Sequence, residues 1–331
     1  MKNCAVVILN YNGEGMLSQF LPSVIEHSNS DVWVIDNASQ DGSIALLERE
    51  FPTVPLIKLQ ENFGYAGGYN WGLESLKGKY QYYILLNSDV EVLPNWDQVL
   101  ISSLESDDDL AAVQPKILSF QNPRLFDYAG AGGGFLDDFY YPYCRGRIWN
   151  VIEEDHGQYD DFAFVDWASG ACMAIKADLF HQADGFDAHF FAHMEEIDLC
   201  VRFRQMGYKI GYTGQSRVHH FGGATLARSS PRKLFLNIKN SLSMIYKAET
   251  SGKFWWIFII KLLTEWLAAI GYYVKGQGKY GSAIFRAYKE FWKGKSLQGR
   301  SYKGKEFIRI GPSRWIYWDF IILRKRTFEK L

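Results

Sequence analysis

The chain has 331 residues, of which 47% are hydrophobic, 16% aromatic and 22% charged; it can bury a full core and is too long for one minimal domain. Disordered and collagen-like classes are excluded by that composition. The formal net charge of -1 hides a division, because residues 1–225 hold 14 Lys and Arg against 31 Asp and Glu, and residues 226–331 hold 22 against 6. An acidic body followed by a basic tail predicts a boundary near 225, with the tail facing membrane lipid, nucleic acid or the body itself.

Cys4, Cys144, Cys172 and Cys200 lie far apart with no CxxC pair, so neither a zinc site nor a disulfide framework is expected and a reducing cytoplasm is the default. The apolar run Cys4 to Leu9 is broken too early by Asn10-Tyr11-Asn12-Gly13 to read as a secretory leader.

Ala5 to Leu9 reads as a strand buried on both faces. A helix over 16–27 follows, with Met16, Phe20, Leu21, Val24 and Ile25 at helical spacing despite Pro22. Val32 to Ile35 is the next strand, and Asp41 or Ser43 is placed to cap a helix starting at Ile44. Leu56 to Leu59, a Gly-rich stretch, a helix over 66–77 and the strand Tyr82 to Leu86 complete a doubly wound α/β half. Residues 120–165 read as loops and short strands. Val165 to Ala174 reads as strand-like, Ile197 to Met206 as a helix ending at Gly207, and Lys209 to Thr213 as a short strand leading to His219-His220.

Ligands of such sheets bind at the carboxyl ends of the strands. Those ends are Asn10 to Asn12, Asp36 to Asp41, Glu61 to Gly68 and Asn87 to Asp89, and three of the four present a carboxylate. Carboxylates suit ribose, a base or a divalent metal better than bare phosphate. No G-x-G-x-x-G follows the first strand and no P-loop occurs, which disfavours dinucleotide and P-loop readings. A nucleotidyltransferase would show a basic Gly-rich loop near the first strand, and Asn10 to Gly15 has neither Lys nor Arg.

Four constellations remain. Asn87-Ser88-Asp89 offers a strand-end carboxylate for Mg²⁺ or Mn²⁺; alone it would pass for a turn. Phe190 to Cys200 carries Glu195, Glu196 and Asp198 at a helix start, either favouring the macrodipole or supplying a general base. Val218 to Gly223 contains the paired histidines, polar surface or a metal ligand. Glu61 to Asn70 is Gly-rich before a helix, a tight loop or a place for close nucleotide approach.

Taken in order, Val6 to Gly13, Val34 to Ser43, Glu61 to Gly68, Leu85 to Asp89, Ser169 to Ala171 and Glu195 to Leu199 resemble the family 2 glycosyltransferases of GT-A fold. The resemblance covers about residues 4–225 and is nearest to the bacterial rhamnosyltransferase-like group of polysaccharide assembly. It implies an α/β GT-A domain with a mostly parallel central sheet flanked by helices, divided into a nucleotide-binding half (1–90) and an acceptor and catalytic half (91–225). It further implies inverting transfer from a nucleotide-diphosphate sugar, dTDP-rhamnose or a UDP-sugar, to a hydroxyl of a glycan or lipid-linked acceptor. The donor would be held by Asn10, Tyr11, Asn12, Asp36, Asn37, Asp41, Asn62, Gly64, Gly67, Asn87 and Ser88. Asp89 and His220, with His219 in reserve, would hold Mg²⁺ or Mn²⁺. Glu196 would be the base, with Glu195 beside it and Asp198 in reserve. Asp166, Trp167 and Ser169, with Asp187, are placed on the acceptor side. Asn87 and Glu196 replace the family's usual Asp at both positions, which keeps an inactive scaffold on the same fold as the alternative.

The tail holds 6 of the 11 tryptophans. Phe254 to Val274 is long enough to span a bilayer, but Lys261 and Glu265 would cost on the order of 5 kcal/mol near its centre. Their i, i+4 spacing puts them on one helix face opposite Trp, Phe and Leu. A helix packed on the body or lying in the lipid interface is therefore expected. Arg314 to Arg326 adds aromatics and a basic cluster. The tail is read as a helical, peripheral contact to the anionic inner face of the cytoplasmic membrane, with a homodimer interface as the alternative and no nucleic-acid role.

Overall fold

The computed structural model describes residues 3–222, 230–295 and 305–331. Its first ninety residues alternate β1 (Cys4–Asn10), α1 (Glu14–His27), β2 (Asp31–Asp36), α2 (Ser43–Glu50), β3 (Leu56–Lys58), α3 (Gly64–Glu74) and β4 (Tyr82–Asn87). The four strands run parallel in the order β4-β1-β2-β3. Successive side chains of a strand point to opposite faces. Val6 and Ile8 of β1 accordingly pack with Leu17 and Leu21 of α1 and Leu46 of α2, while Ala5 and Val7 pack with Ala66 and Tyr69 of α3. Both faces are covered, which is why these strands read as continuous apolar runs.

Helix α3 lies unusually close to the sheet. A Cβ at Gly72 would sit 2.0 Å from Ile35 Cδ1, so only glycine permits that approach.

The chain continues through β5 (Val90–Val92), α4 (Trp96–Ser106) and β6 (Leu110–Ser119). Four short strands then make a separate antiparallel sheet: β7 (Gly134–Leu136), β8 (Pro142–Cys144), β9 (Arg147–Ile148) and β10 (Val151–Ile152). After β11 (Phe162–Val165), β12 (Cys172–Lys176) inserts antiparallel between β4 and β6. α5 (Ala177–Gln182), a 3-10 turn at Ala188–Phe190, α6 (Glu195–Met206) and β13 (Lys209–His220) follow, with β13 parallel to β6.

Val165 to Ala174 is not one strand. The Asp166 carboxylate takes backbone N–H groups of Leu136 and Ile310, and Ser169 Oγ bonds Ala129 O and Ala171 N. Those bonds turn the chain between β11 and β12. The strand expected over 209–213 instead runs on to His220 through an irregularity between Thr213 and Arg217.

The expected boundary at 225 lies outside the described residues, as does Gly223. The tail helices α7 (Pro231–Ala248), α8 (Ser251–Val274) and α9 (Gly278–Gly294) share the hydrophobic core that covers the α3 face of the sheet. Ser230 caps α7 by accepting from Lys233 N, with Pro231 at the first helical position. Beyond α9, residues 305–331 run back over the small sheet, held by Asp166 on Ile310 N, Asp137 on Ile316 N and Glu153 on Phe328 N.

Among the described residues one helix, α8, is long and apolar enough to cross a membrane, and 28% of its most apolar stretch is buried. The two charges at its middle, Lys261 and Glu265, are buried against the body. Lys261 Nζ is 3.1 Å from Glu265 Oε1 and 3.6 Å from the centre of the Tyr141 ring, whose hydroxyl also donates to Glu265. Breaking a buried pair strands the surviving charge. Glu265→Ala is expected to cost about 3–5 kcal/mol in urea unfolding, and Lys261→Met/Glu265→Met to regain most of it; equal losses in both variants would show that the pair has no such role.

Candidate active site

Parallel pairing sets Asn10 level with Asp36 and Leu9 level with Asn87, so the expected donor residues meet along one sheet edge. Asn10 Nδ2 donates to Asp36 Oδ2 at 3.0 Å and to Ser39 Oγ at 3.2 Å. Ser39 N closes the corner on Asp36 Oδ1. Asp36 is fully buried with both oxygens engaged, so it shapes this corner from behind, while Tyr11 and Asn12 stand exposed in front. Ser88 Oγ borders the same corner beside Gly13.

Asn37 ties the next loop down. Its amide donates to Asn62 Oδ1 and Gly64 O, and its oxygen accepts from Phe63 N. Gly67 packs against Phe63 inside α3. Asp41 takes the helix-capping role expected of it, in place of the donor role: its carboxylate accepts from Glu14 N and Ser43 N at the starts of α1 and α2. Burial opposes its charge, but the hydrogen bonds at Ser43 and Glu14 hold it below the ordinary Asp value. Asp41 is a cap for two helices.

At the end of β4, Asp89 Oδ1 is 3.2 Å from His220 Nε2, and Asp89 Oδ2 accepts from Gly222 N at 3.1 Å. Asn87 Nδ2 is 3.5 Å from the same imidazole nitrogen. His220 Nδ1 contacts Asp127 Oδ1 at 2.8 Å. Adjacent residues on β13 face opposite ways, which sends His219 to Glu91 instead and selects His220. Burial alone would lower the His220 pKa, yet the flanking Asp127 and Asp89 carboxylates raise it to about 10. An orienting carboxylate behind an imidazole, with a second carboxylate in front, is a donor set that a divalent cation accepts. Among the described residues no three His, Cys, Asp or Glu side chains close a metal cage.

The carboxylates at α6 are entered through an unusual backbone. Phe191, His193 and Met194 all have positive φ, at 60°, 69° and 73°, a region that costs non-glycine residues about 1–3 kcal/mol each. Glu195 is buried and Glu196 half-buried, and each has one carboxylate oxygen without a hydrogen-bond partner. Burial raises both pKa values; the Glu196 charge raises Glu195 further, while Lys233 from α7 opposes the rise at Glu196. Adjacent carboxyls that burial holds above the usual range are suited to proton transfer near neutral pH.

This loop is held from two sides. Phe191 O accepts from Tyr65 N and Ala66 N at the start of α3, and a Cβ at Gly64, itself at φ +71°, would lie 2.4 Å from that oxygen. From α7, the fully buried Asn240 donates to the carbonyls of Phe190, Ala192 and His193 at 2.8–3.0 Å. Glu196 also lies against the Ser169 to Ala171 turn, where an added Gly170 Cβ would be 3.7 Å from Glu196 Cβ. Ala171 O in turn accepts from Asn87 N, and Gly170 O from Tyr65 OH. One turn therefore joins the Glu196 side to the Asp89 side.

Asp198 does not join the site. It is fully buried and pairs with Arg202 at 2.9 Å and Lys247 at 3.6 Å, so it is no reserve base. Asp166 and Trp167 are likewise consumed by backbone partners, Trp167 Nε1 donating to Phe135 O, and Ser169 shapes its own turn. Asp187 pairs with Lys247, and burial is outweighed by that charge, lowering its pKa to about 2. A concavity of about 570 Å³ between α4 and β13, lined by Asn95, Gln98, Ser102 and Gln215 among others, carries no titratable group and is not the site. Asp127 and Asn240 escaped sequence reasoning: one sits in a loop without periodicity, the other on a helix distant in sequence.

A sheet whose carboxyl edge gathers polar donors, a strand-end Asp–His corner and a raised carboxylate pair defines a nucleotide-sugar transferase of GT-A architecture. The Glycosyl transferase family 2 model matches residues 5–182, and the chain belongs to that family. It is 23% identical over 266 residues to the N-acetylglucosaminyl-diphospho-decaprenol L-rhamnosyltransferase of Mycobacterium tuberculosis, covering 76% of this chain and 85% of that one. The fold is shared with GalNAc-T7 bound to UDP, GalNAc and Mn²⁺ (TM-score 0.58, 18% identity, 75% of this chain and 48% of that one). It is also shared with the mannosyltransferase PcManGT of Pyrobaculum calidifontis bound to GDP-Man and Mn²⁺ (TM-score 0.53, 13% identity, 88% and 87%).

Two outcomes follow from this geometry. Asn240→Ala is expected to lower kcat about 10–100-fold with little change in donor KM, because the loop loses its position; an unchanged kcat in a folded variant removes that role. For Glu195 the folded pKa lies above the unfolded one, so its stabilising contribution is full below the unfolded value and is lost as pH rises through the folded value. Glu195→Gln is therefore expected to lose less Tm than the wild type between pH 5 and pH 8, and parallel Tm curves would contradict it.

Proposed function

We propose that the protein is an inverting glycosyltransferase of cell-surface polysaccharide assembly, taking a sugar from dTDP-rhamnose or a UDP-sugar to a hydroxyl of a glycan or lipid-linked acceptor. The observation carrying this reading is Glu196, a raised carboxyl with a free oxygen, joined through one turn to the Asn87–Asp89–His220 corner. The names of the relatives support it: one acts on a diphospho-decaprenol acceptor, and two structural neighbours hold nucleotides with Mn²⁺. The enzyme would work in the cytoplasm, peripherally at the inner face of the membrane.

Asp89 and His220 are the residues that would hold Mg²⁺ or Mn²⁺, which when bound neutralises charge on the diphosphate leaving group. Asn10, Tyr11, Asn12, Asn37, Asn62 and Ser88 form the donor edge. Glu196 takes the acceptor proton as the hydroxyl oxygen attacks the anomeric carbon from the face opposite the nucleotide. The pKa of Glu195, its buried neighbour in sequence, is raised by burial and by the Glu196 charge.

One nucleoside diphosphate among UDP, dTDP and GDP is expected to raise Tm only with Mn²⁺ or Mg²⁺ present. Asp89→Asn should abolish that shift; Glu196→Gln should keep it while slowing transfer about 10²–10⁴-fold. In the wild type kcat/KM should rise with pH through a limb above the ordinary Glu value of 4.5. Nucleotide binding with neither transfer nor hydrolysis of any donor sugar would point to a scaffold.

A further inference from the structure

Helix α8 is amphipathic in the reverse sense to a water-exposed helix. Lys261 and Glu265 are 1% and 5% exposed, whereas Trp256, Leu263 and Leu267 on the opposite side are 60%, 58% and 69% exposed. Ile259, Trp266, Ile270 and Tyr273 continue that outward stripe at helical spacing. Phe285 and Trp292 of α9 extend it, Trp266 lying 5.4 Å from Phe285 and Trp255 5.7 Å from Trp292 between ring centres. Trp318, Ile321, Ile322 and Leu323 are also half exposed or more. A monomer in water does not leave so long an apolar face uncovered without a partner for it.

We propose that the outward face of α8 and α9 is a docking surface for bilayers that contain anionic lipid, entered from one side and not crossed. Charge selects the occupant. Exposed Lys275, Lys279, Lys289, Lys293, Arg324 and Arg326 border these apolar residues in sequence, and tryptophan with lysine or arginine is the pairing that settles at a lipid headgroup boundary. A second copy would bring the same basic tail against this one, which like charges oppose. The acidic body is repelled by the lipid that attracts the tail, so the charge division also orients the molecule. Crossing is disfavoured because α8 would have to pull the Lys261–Glu265 pair off Tyr141 and into hydrocarbon.

The inference deepens the membrane-side location proposed above and is tested with no sugar nucleotide present. Full-length protein is mixed with phosphatidylcholine vesicles, with or without roughly 30% phosphatidylglycerol, and floated on a density gradient. The expected result is flotation with the anionic vesicles, about tenfold weaker for Lys275→Glu/Lys279→Glu and for Leu263→Ser/Leu267→Ser, with release by alkaline carbonate. Circular dichroism and the nucleotide-dependent Tm shift should match the wild type in both variants. Failure of the wild type to float, retention after carbonate, or a dimer that buries these tryptophans in place of lipid would each overturn it. A protein that floats but binds no nucleotide would instead overturn the proposed activity and leave the docking surface standing.

Discussion

The backbone between Phe190 and Glu195 cannot hold its own shape. Three non-glycine residues with positive φ in four positions persist only where the surroundings over-determine them. The surroundings here are one amide and two N–H groups: Asn240 spans three loop carbonyls, and the start of α3 grips Phe191 O. Strain in the loop aims the Glu195–Glu196 pair, and its compensation comes from elements on both sides of it. The Gly-rich first turns of α3 have their close approach to make, though to protein backbone at Gly64. The tail, in the same way, is part of what holds the loop that carries Glu195 and Glu196.

The charge division also takes a different meaning in three dimensions. Many carboxylates of the acidic body are fasteners for the tail: Asp187 and Asp198 on Lys247, Asp138 on Arg309, and Asp137, Asp166 and Glu153 on backbone N–H groups of the final segment. Asp89, Glu195 and Glu196, the carboxylates the proposed reaction would use, are a minority beside them. Composition counts both kinds alike, since a carboxylate that receives two backbone N–H groups and one that awaits a proton are the same residue type.

What was legible in the sequence follows the range of the forces involved. The β1 to β4 alternation could be read because burial on both faces leaves an uninterrupted apolar run, and the strand ends could be read because parallel register brings Asn10, Asp36 and Asn87 to one edge. The direction of β13 turns His220, the first choice on resemblance, to Asp89 and sends His219 away, whereas Asp127 needed its meeting with a residue 93 positions away. Asp36, Asp41, Asp166 and Asp198 show the opposite limit. Their type and place suggested ligands or catalysts, but hydrogen bonds and ion pairs to protein backbone and side chains had already engaged them.

The buried Lys261–Glu265 pair has a bearing on the birth of the protein as well as on its finished form. A 21-residue apolar segment leaving the ribosome resembles cargo for the insertion machinery, and hydropathy alone cannot distinguish its destinations. Two charges at the middle of α8 weaken lateral entry into lipid, whereas the folded body offers them a tyrosine ring and hydroxyl already in place. The body precedes the tail in the chain, so that receptor is synthesised first. Chain order and one ion pair together favour packing of the segment on the body over entry into lipid.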